Sequence, residues 1–252
     1  VVVQEIFGVN GHIRSVVDRF ASHGFTALAP AMFDHIEHHV ELGYDAAGVA
    51  YGREMVDKLG VDRAVDDVEA AKRLLQPDGN VGVVGYCWGG TIAYLSWARL
   101  RLPAVSYYGA RTVPFLSERS NAPLMLHFGE QDSSIPAEAI AAHRDALPDA
   151  KIHIWPAGHG FNCDQRADYN ATVATQALQR TLSFFETALW EYVAHDGGSR
   201  LAAFDDRVGD LAGDKSHGAD GIIVRRHRPV NPQQIDWPGP SNDDAIRAVR
   251  LI

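Results

Sequence analysis

Two periods of hydrophobicity alternate along the first 189 residues. Residues 1–6, 25–29, 81–84, 104–107, 124–128 and 151–155 are short apolar runs rich in β-branched or aromatic side chains. Between most of them the apolar positions recur at helical spacing. Val65, Val68, Ala71 and Leu75 share one face, with Asp62, Asp66, Asp67 and Lys72 largely elsewhere, and Leu178, Leu182, Phe185 and Leu189 repeat the pattern in a longer final helix. Gly24 closes the first helix, 77–80 (Pro-Asp-Gly-Asn) turns into the third run, and Ser134 with Pro136 opens the helix after Asp132. Continuous apolar strands alternating with amphipathic helices predict an α/β fold, a mostly parallel sheet covered on both faces.

Past Leu189 the texture changes. Residues 190–252 hold few long apolar groups, and only Gly221-Ile222-Ile223-Val224 reads as a strand. Arg225-Arg226-His227-Arg228 is a small basic knot read as a solvated edge, and four prolines follow it. The expected organisation is therefore one domain over 1–189 and a C-terminal extension over 190–252. The chain also opens directly on Val1-Val2-Val3, which reads as the middle of a fold.

Candidate chemistry begins at Val81-Gly82-Val83-Val84-Gly85-Tyr86-Cys87-Trp88-Gly89-Gly90, followed by a helical stretch. An apolar strand, then Gly-x-Cys-x-Gly, then a helix matches a nucleophile elbow with cysteine in place of serine. The following helix would aim its N-terminal N–H groups and dipole at the site, which favours a thiolate and an oxyanion alike. A glycine-rich turn around a buried, unreactive cysteine fits the pentapeptide equally well. Two further segments favour chemistry. The 124–128 run ends in Gly129-Glu130-Gln131-Asp132, and the 151–155 run ends in Pro156-Ala157-Gly158-His159-Gly160. Nucleophile, acid and histidine thus follow in the order Cys87, Asp132, His159, each past the carboxyl end of an expected strand, where open α/β sheets place their sites.

Composition limits the alternatives. The chain has 252 residues, 46% of them hydrophobic, and a formal net charge of −9, so neither a disordered chain nor a general nucleic-acid binder is expected. Two cysteines make no disulfide framework, and no apolar stretch reaches the roughly 18 residues of a membrane span, so the expectation is a cytoplasmic protein without a membrane partner.

The sequence resembles the dienelactone hydrolase family of α/β-hydrolases, whose members include carboxymethylenebutenolidases. The resemblance rests on Gln4-Glu5-Ile6-Phe7-Gly8-Val9-Asn10, Gly85-Tyr86-Cys87-Trp88-Gly89-Gly90, Tyr107-Tyr108-Gly109, Asp132 and Gly158-His159-Gly160-Phe161, and covers roughly 1–189. It implies a three-layer α/β-hydrolase sandwich, here expected to lack the first N-terminal strands of the family. It implies Cys87 as nucleophile, His159 as general base and Asp132 as its orienting acid. The backbone N–H groups of Ile6 and Trp88 become the oxyanion hole, and Glu5 becomes a glutamate that contacts the resting thiol. Read from the residues alone, Glu5 is a strand-end carboxylate that needs a partner, and an ion pair would serve it.

The substrate is a small-molecule ester or lactone by the same resemblance, with no metal or organic cofactor. Family members hold a substrate carboxylate with two arginines, one of them four residues after the histidine. That position is Cys163 here, with Arg166 three further on, and Arg53 lies near the segment of the other arginine. Either could bind a carboxylate, or form a surface salt bridge. Cys163 reads as a packed thiol, and His35, His38 and His39 as solvated loop histidines rather than metal ligands. Phe7, Phe33, Trp88 and Trp155 could wall an apolar pocket or simply pack the core. The rival to an enzyme is a non-catalytic relative that binds a ligand or partner through the same fold.

Overall fold

A computed structural model describes residues 1–191, and side chains through Leu189. The extension over 190–252, with the expected strand at 221–224 and the basic knot after it, lies outside the described side chains. The elements run β1 (Val2–Val3), α1 (Gly11–Ser22), α2 (Ala46–Leu59), α3 (Val61–Leu75), β2 (Val83–Tyr86), α4 (Trp88–Leu100), β3 (Ala104–Tyr107), β4 (Leu124–Gly129), α5 (Ala137–Ala146), β5 (Lys151–Trp155) and α6 (Ala171–Glu191). The strands form one sheet in the order β1-β2-β3-β4-β5, and every neighbouring pair is parallel.

Strand alternation shows that helices cover both faces. Tyr107 points its hydroxyl to Thr181 Oγ1 of α6 at 2.7 Å, whereas the preceding Ser106 turns its hydroxyl toward Gly90 of α4. Helix α1 shares the α6 side, because Phe20 packs edge-on to Phe185 at 6.2 Å. Helix α3 packs on α4 on the other side. β2, β3 and β4 are buried along their whole length, which explains why they read as continuous apolar runs. β5, at the edge, is partly exposed over its first four residues and buried only at Trp155.

Two readings of the pattern need correction, and one helix left no reading at all. Residues 25–29 form no strand of the sheet: the segment lies beside β1, where Val2 N–H donates to Leu28 O at 2.7 Å. Asp67 is buried on α3, held by His35 Nε2 at 2.7 Å, so polarity alone misplaced it on the solvent face. Helix α2 left no clear periodic signal. Gly60, at φ 74°, ends it and starts α3 at once.

Candidate active site

The turn between β2 and α4 holds Cys87 at φ 54°, ψ −117°, a backbone conformation unfavourable for a residue with a Cβ. The surrounding structure enforces it. Cys87 N–H donates to Tyr107 O at 3.0 Å, and Cys87 O accepts from Gly90 N–H at 2.9 Å. Gly85 and Gly89 permit the close approach: a Cβ on Gly85 would lie 1.8 Å from Gly89 O, and one on Gly89 2.3 Å from Gln4 O. The spacing of the two glycines about Cys87 is thus a steric requirement of the turn. Trp88 begins α4, so its N–H belongs to the first turn and has no intrahelical acceptor.

Two other strand ends complete the group. Asp132 follows β4, its side chain is fully buried, and its Oδ1 accepts from Ser134 N–H at 2.8 Å. Its Oδ2 lies 2.7 Å from His159 Nδ1, and His159 Nε2 lies 3.1 Å from Cys87 Sγ. A carboxylate at Nδ1 favours the tautomer with its proton there, leaving Nε2 to face the sulfur. Burial pulls the His159 pKa down, but hydrogen bonds to Asp132 and Cys87, and the charges of both, outweigh it. The imidazole is pushed up to about 10. Tyr108, itself at φ 41°, stands edge-on to the His159 ring at 5.1 Å.

Glu5 is fully buried just after β1. Its carboxylate has two hydrogen-bond partners. Arg166 Nη1 donates to Glu5 Oε1 at 3.0 Å, and the Tyr44 hydroxyl donates to Oε2 at 3.2 Å. A buried carboxylate takes the nearest strong donors, and Arg166 is close enough to be one. Arg166 therefore pairs with a buried carboxylate and does not form the surface salt bridge that was the other expectation. Its guanidinium also lies 5.9 Å from the ring centres of Phe7 and Tyr44. Arg53 is exposed on α2, whereas its neighbour Gly52 packs against the carbonyl of Ile6. A side chain at 52 would collide there, which turns Arg53 outward from this contact.

Phe33 lies 6.2 Å from Trp88 near the elbow, while Trp155 donates to His127 Nδ1 at 3.1 Å. The four aromatics therefore do not form one wall. His35 is bound to Asp67 and His38 lies 3.5 Å from Asp34 Oδ2, so these loop histidines do not converge. Tyr44 carried no signal in the sequence. A cavity of about 620 Å³ lies by the β1 flank, lined by Val1, Phe20, Phe25, Phe185 and Leu189 among others, with no triad residue in its wall. Among the described residues, no helix is long and apolar enough to cross a membrane.

Comparison with known proteins places the same residues in one family. The model of the dienelactone hydrolase family matches residues 1–189. A Synechocystis sp. protein, provisionally named carboxymethylenebutenolidase, is 36% identical over 210 residues, covering 75% of this chain and 85% of that protein. The carboxymethylenebutenolidase of Pseudomonas putida is 33% identical over 205 residues, covering 73% and 83% respectively. A crystal structure from Klebsiella pneumoniae, provisionally called a dienelactone hydrolase, superposes with a TM-score of 0.64 at 31% identity, covering 73% of this chain and 85% of that one.

Proposed function

We propose, for a chain that belongs to the dienelactone hydrolase family and hydrolyses esters or lactones, that Cys87 is the nucleophile and a thioester the intermediate. The observation that carries this reading is the continuous line from Asp132 through His159 to Cys87 Sγ, at 2.7 and 3.1 Å. The strained elbow under Cys87 supports it, because strain of this kind persists only where neighbouring structure enforces it.

In the first step His159 Nε2 takes the thiol proton, and the resulting imidazolium is stabilised by Asp132. The sulfur attacks the acyl carbon. The N–H groups of Ile6 and Trp88 receive the oxyanion, each such donor being worth about 3–4 kcal/mol of barrier. His159 then returns its proton to the departing alkoxide or enolate oxygen. Water, deprotonated by the same nitrogen, cleaves the thioester and restores the thiol. Activated esters and enol-lactones suit this sequence, because their oxygen leaves readily from the tetrahedral adduct. Glu5 and Arg166 neutralise one another beside the reacting sulfur and act through the local field. The substrate is a small molecule. The hydrolase domain is read as 1–189, and the two free cysteines fit a reducing, cytoplasmic setting.

The test is turnover of an activated aryl ester and an enol-lactone by the wild type and by Cys87→Ala. A fall of at least about 10⁴-fold is expected, the scale on which loss of a nucleophile acts. Equal turnover by the two proteins would end the proposal.

A further inference from the structure

Beside the Cys87–His159 pair, three segments bring metal-binding side chains together. Glu5 comes from the loop after β1, His12 from the first turn of α1, and Cys163 from the loop after β5. All three are buried, at 0%, 1% and 0% exposure. One ligand atom from each lies within 4.8 Å of the others.

His12 supplies an independent observation. Neither of its ring nitrogens has a hydrogen-bond partner, although both are buried. The nearest ion-pair partner, Asp164 Oδ1, stands 3.7 Å from Nδ1, beyond hydrogen-bond length. Leaving a buried imidazole without a hydrogen bond of normal length costs free energy, and native interiors rarely do so without a bound partner. Helix α1 begins at Asn10, whose Oδ1 accepts from Ile13 N–H at 3.2 Å, and this cap sets His12 in the first turn of the helix.

We propose that Glu5, His12 and Cys163 form a binding site for a divalent metal ion of the zinc type, separate from the catalytic triad. A thiolate, an imidazole and a carboxylate are a donor set that zinc accepts, and the sulfur discriminates against magnesium and calcium. Tetrahedral coordination would bring the donors to roughly 3.4 Å from one another, a contraction of about an ångström that three loop or helix-end residues can make. Glu5 has lone pairs to spare, since Arg166 and Tyr44 occupy two of about four acceptor positions. Asp164 or a water molecule supplies a fourth donor.

Burial lowers the pKa of His12, which keeps its ring neutral and a lone pair available. Burial, with the Glu5 charge, pushes the Cys163 thiol up to about 11. Binding therefore displaces the Cys163 proton to solvent as the metal–sulfur bond forms, with no change of oxidation state. With Asp164 as the fourth donor, the ion's two charges are met by Asp164 and the new thiolate, while Glu5 still answers Arg166. The bound ion ties the loop carrying Ile6 to the loop carrying His159.

Untagged full-length protein, freed of metal, is titrated with Co²⁺ as the spectroscopic probe. One equivalent should produce a thiolate-to-cobalt charge-transfer band, and Zn²⁺ should abolish it by displacement. Cys87→Ser should keep the band. Cys163→Ser should lose it, and His12→Gln should weaken Co²⁺ binding by at least about tenfold. Far-UV circular dichroism of each variant establishes that it is folded, and His12→Gln decides if Cys163→Ser is not. No band in the wild type overturns the site, as does a band that survives Cys163→Ser. Loss of the band in Cys87→Ser alone would put the metal on the catalytic pair and overturn it equally. Because Cys87 is absent from the proposed ligands, failure of the triad mechanism would leave this result standing.

Discussion

Cys87 stands on the turn between β2 and α4 at φ 54°, partly open to solvent, with an imidazole nitrogen 3.1 Å from its sulfur. Cys163 lies four residues past His159, its side chain buried beside the Tyr44 hydroxyl and the Glu5 carboxylate. The two side chains are chemically identical. Their surroundings differ in backbone strain, in exposure and in the group that faces the sulfur. The first environment offers a base; the second offers burial and a like charge, both of which oppose ionisation. Reactivity thus belongs to the loop and its contacts. The same contrast makes Cys163 inert as a nucleophile yet suited to a metal, which ionises a buried thiol by binding it.

The contrast can be broken at several points, and the largest effect is expected at Asp132. Replacing it by Asn leaves the shape but lets His159 adopt the wrong tautomer, and hydrolysis should fall on the order of 10³-fold or more. Steady-state rates that stay within threefold would mean that Asp132 does not hold the working base. Alkylation comes next. With its pKa near 11, Cys163 is on the order of one part in a thousand thiolate at pH 8. Iodoacetamide should therefore mark Cys87 at least about 100-fold faster in peptide mapping by mass spectrometry. The reverse order would move the nucleophile.

The smallest effect concerns stability and pH. The pKa of His159 is raised in the fold, from about 6.5 to about 10. Its contribution is complete below pH 6.5 and is lost as pH rises through 10, because the unfolded chain gives up that proton first. Urea unfolding should show stability falling across this window, by no more than about 1.4 kcal/mol per pH unit from this group. His159→Gln should flatten that slope. A slope unchanged in the variant would assign it elsewhere.

Much of this was legible because the relevant signals are local. The apolar runs of β2, β3 and β4 follow from burial on both faces, and the Gly-x-Cys-x-Gly spacing follows from clashes that a Cβ would meet at Gly85 and Gly89. Asp132 and His159 could be found by their order and their place after strands. What could not be read depended on tertiary contacts. Nothing near Glu5 in sequence announces Arg166, 161 positions away, or Tyr44, 39 away. Arg53 looked as suitable as Arg166, and the packing of Gly52 on Ile6 together with the pairing of Arg166 to Glu5 separates them. Asp67 looked like a solvent-facing acid until His35 came to cover it. The histidines at 35, 38 and 39 are neighbours in sequence, whereas Glu5, His12 and Cys163 are brought together only by the fold.

The claim that Cys87 carries the acyl group is tested most directly by trapping the intermediate. Wild-type protein is mixed with an activated aryl ester, quenched in acid before turnover completes, digested and mapped by mass spectrometry. The acyl mass is expected on the peptide containing Cys87, released by hydroxylamine as a thioester should be, and absent from Cys87→Ala. An acyl group found on a serine, on Cys163, or on no residue while hydrolysis proceeds would contradict it.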